Sequence, residues 1–290
     1  MTSLPNVNSF DRILGMRIDC VSYFAATKKV IQWARESRPS MVCLGNVHMV
    51  MTSYDDPEFA PVLDGADLVT HDGMPLVWGM RLLGHVGLER VYGPHLMTFV
   101  CQSAAKRNIP IGLYGGTPEV LQDLCISLEA RCPGIKIPFR VSPPFRPQTN
   151  EENDRDLKVL RESGAKILFV GIGCPKQELW MHRNRRRFAG PMLGVGQAFD
   201  IHSGHSRMAP RWMQNIGMEW FYRLCTEPRR LWKRYLKNNP RYVVLLVMQL
   251  FARRVAKSEA AARGPLYQYI HSVIAPHLRE TSNRGKKGRR

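Results

Sequence analysis

The sequence predicts an α/β fold: a parallel sheet with helices on both faces, followed by a basic helical appendage. Three observations predict it. Short apolar runs alternate with helix-length segments up to about residue 200, as in strands joined by helical crossovers. After Met208 only helical spacing remains. Charge is equally lopsided, since residues 205–290 hold 19 Lys and Arg against four Asp and Glu, or 15 of the 18 net positive charges. The expected division is a core over 1–205, a helical appendage over 206–256 and a basic, partly disordered tail over 257–290.

Taken in order, Met41–Gly45 is a β-prone run, and Ala66–Thr70 is another that ends at His71-Asp72-Gly73. Pro110–Tyr114 leads into Gly115-Gly116. Thr117–Cys132 then reads as a helix with Thr117 as N-cap and Pro118 at its first position. Gly134 closes it, Ile135–Val141 is the next strand, and a charged helix starts near Asn150 after a proline-rich loop at 143–147. Lys166–Val170 runs into Gly171-Ile-Gly173, a helix follows from Pro175 to about Phe188, and Pro191–Val195 ends at Gly196. In the appendage, Ala209–Cys225 carries Trp212, Ile216, Trp220 and Leu224 at helical spacing. A helix restarting at Pro228 gathers Arg230, Lys233, Arg234 and Lys237 on one face.

Composition narrows the functions. The seven cysteines are scattered, without a CxxC pair or a histidine at finger spacing, as expected of unpaired thiols rather than structural zinc. No charged flank precedes an apolar core at the N-terminus, so no secretion signal is expected. The longest apolar run, Tyr242–Ala252, has 11 residues, about half of what a membrane-spanning helix needs. A cytoplasmic location with a peripheral grip on the inner membrane face follows. Asp154-Arg-Asp156 has the DxD form but sits in a charged helical stretch. No metal and no cofactor are expected.

Ligands of open parallel sheets collect at the carboxyl ends of the strands. Asn46, Asp72-Gly73, Gly115-Gly116-Thr117, Gly171-Ile-Gly173 with Lys176 and Gln177, and Gly196 all fall at such ends. Glycines there let backbone amides approach a phosphate, and a helix N-terminus favours the negative charge. A GxGxxG fingerprint is missing, which disfavours hydride chemistry. Asp72 is either a helix N-cap or a general base within reach of an acceptor hydroxyl.

Asn46-Val-His-Met-Val, Asp67-Leu-Val-Thr-His-Asp72-Gly73, Glu89-Arg90-Val91, Pro175-Lys176-Gln177-Glu178, Gly194-Val-Gly196 with Ala198-Phe199-Asp200, and Glu219-Trp220-Phe-Tyr-Arg223-Leu together resemble the WecG/TagA/CpsF glycosyltransferase family. The resemblance runs from about residue 12 to 245. It implies a Rossmann-like core and an inverting transferase using a UDP-sugar, commonly of the N-acetylmannosamine type. The acceptor it implies is a polyprenyl-diphosphate-linked amino sugar, in cell-surface polysaccharide or teichoic-acid-type synthesis. It assigns Asp72 as the base, Arg90 to the acceptor or diphosphate, and Gln177 to the reacting sugar. Asn46 falls in the family's first block, which usually opens with Thr where this chain has Leu44. The appendage is implied to close over the site and dock on anionic membrane, with Arg223, Arg230 and Lys233 at the positions that serve the diphosphate. Tyr242–Ala252, between Arg241 and Arg253-Arg254, reads as an interfacial segment or as a helix packed on the core.

The alternative is a nucleic-acid-binding protein. A pI near 10.0, and Arg and Lys interleaved with Trp220, Tyr222, Trp232 and Tyr235, motivate it. Confinement of the basic face to the appendage argues against it, so no nucleic-acid partner is expected. Homo-oligomerisation is left open.

Overall fold

The computed structural model describes residues 9–262, with side chains through residue 255. The chain opens with an antiparallel hairpin, β1 (Phe10–Ile13) and β2 (Met16–Asp19), which no run in the sequence analysis anticipates. Its turn is Leu14-Gly15, both at positive φ (49° and 89°), as a two-residue hairpin loop requires. There follow α1 (Tyr23–Arg35), β3 (Ser40–Gly45), α2 (Val47–Asp55), α3 (Phe59–Asp64), β4 (Leu68–His71), α4 (Met74–Leu82), α5 (Gly93–Ala105), β5 (Ile111–Gly115) and α6 (Pro118–Arg131). Next come β6 (Phe139–Val141), α7 (Asn150–Glu162), β7 (Ile167–Gly171), α8 (Lys176–Asn184), β8 (Pro191–Gly194) and α9 (Ala198–His202).

Strands β3–β8 form one parallel sheet in the order β4-β3-β8-β7-β5-β6. The α/β, Rossmann-like core is therefore present. Alternation along each strand sets the layers. Val42, Leu44, Leu113, Ile167, Phe169 and Leu193 face a core shared with α1, α5, α6 and α9, whereas α8 packs against β3, β7 and β8 from the other side. From β3 the chain steps outward to β4, then crosses to β5 and β6 on the opposite flank. That reversal opens a crevice at the strand ends.

Several local expectations hold with a mechanism visible. Thr117 caps α6 by accepting from the Val120 amide at 3.3 Å, and Thr149 with Glu152 forms a full capping box on α7. The sixth strand is shorter than the expected Ile135–Val141. Pro138 has no N–H to give a ladder, and pairing starts only at Phe139. The appendage pattern over Ala209–Cys225 is not one helix but two, α10 (Arg211–Asn215) and α11 (Glu219–Thr226). Gly217 breaks it at φ +70°, lying so close to Trp78 that a Cβ there would sit 2.4 Å from the indole.

The last helix, α12, runs Pro228–Ala262 with Pro240 inside it. The chain divides into two compact units after Tyr242. The second unit begins at Val243, and in it Val243, Val247, Phe251 and Val255, four apart, are all exposed. Among the described residues no helix is long and apolar enough to cross a membrane. The expected tail beyond Ala262 lies outside the described residues.

Candidate active site

A cavity of about 900 Å³ opens at the carboxyl ends of β3, β4, β5, β7 and β8, bordered by α11 and by α12 up to Asn239. Asn46, Asp72, Arg90, Gly116, Gly171, Gly173, Lys176, Gln177, Gly196, Arg223 and Arg230 all line it. Gly115 and Lys233 do not. A Cβ on Gly115 would come within 2.5 Å of the Gly171 backbone, so Gly115 serves the close approach of β5 and β7. Lys233 turns outward, its Nζ 5.5 Å from the centre of the Trp232 ring, and the cavity takes Arg234 instead. Four residues separate Arg230 from Arg234, the spacing that keeps two helical side chains on one face.

Asp72 ends β4. It is not the N-cap of α4; that position belongs to Gly73, with no side-chain cap. Instead its Oδ1 accepts from the Gly93 amide at the start of α5 (3.1 Å) and lies 3.6 Å from Arg90 Nη2. Arg90 Nε also donates to the Asp72 carbonyl. The Asp72 side chain is only 18% exposed. Burial, with the like charge of Glu219, outweighs Arg90, the Gly93 amide and Arg223, and pushes its carboxyl up to about 6. The loop that carries Arg90 is fixed by His71. This wholly buried residue lies 2.8 Å from the Glu89 carbonyl and 3.1 Å from that of Asp19, tying the hairpin and the loop to β4.

Asn46 is itself a helix cap. Its Oδ1 accepts from the Met49 amide at 3.1 Å, so its placement at the cavity has a structural cause as well. Leu44 lines the cavity beneath it and touches Gly93, where a Cβ would sit 2.7 Å from Leu44 Cδ1.

Gln177, 4% exposed, has its amide oriented from two sides. Oε1 accepts from the Gly173 amide at 3.2 Å, and Nε2 donates to Glu178 Oε1 at 2.7 Å. Burial pushes the Glu178 carboxyl up to about 7, against the hydrogen bonds from Gln177, its own amide and Cys174.

Spacing gave no sign that His48, Trp180, Phe145 and Glu219 complete the site. His48 bridges to α12 through Asn238 (3.3 Å), and burial with the nearby Arg234 charge pulls its pKa to about 4. Trp180 stacks on Tyr114 with ring centres 4.4 Å apart, and Phe145, 92% exposed, stands on the proline-rich loop at the cavity edge. Glu219 reaches in from α11 to pair with Arg90 Nη2 at 2.6 Å. Arg223 and Arg234 each bury an Nε that finds no acceptor among the described residues. The DxD carboxylates are occupied elsewhere: Asp154 pairs with Arg187 at 2.7 Å, and Asp156 accepts from Gln148 at 2.7 Å.

An open parallel sheet with a deep cleft at its switch point, holding a buried carboxylate beside several guanidinium groups, defines an α/β enzyme whose ligand binds at the strand ends. The particular family follows from the chain as a whole. Residues 11–256 match the glycosyl transferase WecG/TagA/CpsF family, and the chain belongs to it. The protein is a glycosyltransferase, of a family whose role lies in cell-surface polysaccharide synthesis.

Proposed function

We propose that the enzyme transfers a sugar of the N-acetylmannosamine type from its UDP donor to a polyprenyl-diphosphate-linked amino sugar, with inversion. The observation that carries this reading is Asp72, a buried carboxyl with its pKa raised to about 6, open to the same cavity as Arg90, Arg223, Arg230 and Arg234. A base is most effective when its pKa lies near working pH. Both of its contacts named above fall on Oδ1, which leaves Oδ2 to take a proton.

In the step, an acceptor hydroxyl oxygen forms a bond to the anomeric carbon of the donor. Its proton passes to Asp72. The bond from that carbon to the β-phosphate oxygen breaks, and the electron pair leaves with UDP. Arg223, Arg230 and Arg234 supply the charge that stabilises the departing diphosphate. The buried Nε atoms of Arg223 and Arg234 support an anionic occupant, because a guanidinium N–H without an acceptor is costly. Trp180 and Phe145 offer flat apolar surface for the nucleobase. Gln177, with its amide oriented by Gly173 and Glu178, hydrogen-bonds the reacting sugar.

The lipid end of the acceptor requires the enzyme to work at a membrane. The exposed stripe Val243, Val247, Phe251 and Val255, with Arg253 and Arg254 beside it, suits an interfacial helix at the inner face of the cell membrane.

The test is UDP release from a panel of UDP-sugars, with a short prenyl-diphosphate-linked amino sugar as acceptor. Product with inverted anomeric configuration supports the proposal. Release only with nucleotides other than UDP, or a product of retained configuration, overturns it. For the membrane, flotation with phosphatidylglycerol vesicles is expected for the full chain and lost in Phe251→Asp. Flotation unchanged in that variant would remove the stripe from the proposal.

A further inference from the structure

Arg90 stands between two carboxylates. Its Nη2 lies 2.6 Å from Glu219 Oε2 and 3.6 Å from Asp72 Oδ1, and none of the three side chains is more than 18% exposed. The ring of Tyr92 lies 3.9 Å from the Arg90 guanidinium carbon. The nearer anion therefore belongs to α11, whereas Asp72 and Arg90 belong to the sheet side of the cleft. Glu219 comes this close only when α11 lies over the cavity. In that arrangement it engages the cation that would otherwise pair with Asp72, and it adds a like charge. Both effects favour a proton on Asp72.

We infer that Glu219 is a positioning residue. Closure of α11 over the cleft draws Arg90 away from Asp72 and readies the Asp72 carboxylate to take the acceptor proton. This rests on the reading of Asp72 as the base. The other groups facing the cluster are Arg223 from α11, Tyr23 from α1, His95 from α5 and Arg211 from α10. Arg223 attracts the Asp72 carboxylate, so without Glu219 two cations act on Asp72 unopposed. With α11 lifted, Arg90 returns to Asp72 and the base is weak. A lid-borne carboxylate thus confines strong proton abstraction to the closed state.

The experiment is carboxyl-carbon NMR of the full chain labelled at aspartate, with Asp72→Asn to assign the resonance. In the wild type it should titrate near 6. In Glu219→Gln the midpoint should fall by roughly one unit, and Glu219→Asp should recover part of the shift. In the UDP-release assay, Glu219→Gln should move the acid limb of kcat downward in pH with little change in KM for the nucleotide. A purely structural role would not move that limb. An unchanged or raised Asp72 midpoint in Glu219→Gln overturns the inference. Turnover retained in Asp72→Asn would instead remove Asp72 as the base, whatever Glu219 does to its midpoint.

Discussion

On the sheet side of the cleft, Asp72 and Gln177 are held by backbone. The Gly93 amide fixes one, the Gly173 amide fixes the other, and the Asp72 and Gly73 amides donate to the Gly45 carbonyl at 2.8 and 3.2 Å. On the appendage side, Glu219, Arg223, Arg230 and Arg234 ride on α11 and α12. These helices meet the core through scattered side-chain contacts: Gln197 with Glu227, His48 with Asn238, and the Tyr242 hydroxyl with the Pro75 carbonyl. Parallel strands cannot shift without breaking the ladder, but helices held by a few side chains can lift at modest cost. One wall is therefore preorganised for chemistry, and the other is suited to opening for a lipid-borne acceptor. The two walls should respond differently to substitution.

The largest effect belongs to the rigid wall. Asp72→Asn should lower kcat by about 10²–10⁴-fold and leave nucleotide affinity, measured by calorimetry with UDP, nearly intact. The same variant should be more stable than the wild type. A carboxyl whose folded pKa is raised binds more protons in the native state than in the unfolded one. The stability this group contributes is therefore full below the ordinary aspartate value, falls as pH rises through about 6, and is absent above it. Asparagine removes that dependence. Urea unfolding should place Asp72→Asn roughly 2 kcal/mol above the wild type at pH 7.5, with the gap closing below pH 4. A wild type that gains nothing against the variant on acidification would mean that Asp72 is not held at raised pKa.

Next come the arginines of the movable wall. Arg230→Ala should cost on the order of 10² in kcat, the scale of one lost donor to a developing oxyanion. Lys233→Ala, three residues along the same helix but turned onto Trp232, should stay within about twofold. Equal losses in the two would show that α12 engages the diphosphate in a different rotation, and that the wall rearranges more than it lifts.

The same contrast sets which features are legible in the sequence. The buried strands are continuous apolar runs closed by glycine or histidine, so the expected Met41–Gly45 corresponds to Ser40–Gly45, and Pro191–Val195 to Pro191–Gly194. Asn46, Asp72 and Gln177 follow directly from those strand ends. A helical repeat groups Lys233 with Arg230 because it gives a face but not which edge of it meets the core. Glu219 lay in plain view within the Glu-Trp-Phe-Tyr-Arg-Leu block. Its significance depends on a contact with Arg90, far away in the chain, that no local pattern encodes. His48 and Asn238 are joined across a similar distance. The hairpin at 10–19 is illegible for a different reason: its strands are four residues each, and Arg12, Arg17 and Asp19 interrupt the apolar signal.

The smallest effect tests the attachment of the movable wall itself. Tyr242 is 2% exposed, and its hydroxyl donates to the Pro75 carbonyl at 3.0 Å, one residue into α4 and three past Asp72. Phenylalanine keeps the ring and its packing but leaves that carbonyl without its donor, a loss of about 1 kcal/mol. Tyr242→Phe should therefore lower the urea midpoint slightly. If the attachments of α12 act as a latch, amide exchange should rise more in α11 and the first turns of α12 than in β3 or β7, because local opening draws on the least protected elements. Faster exchange spread evenly over the sheet would mean that the two walls unfold as one, and the contrast between a fixed wall and a lifting one would not hold.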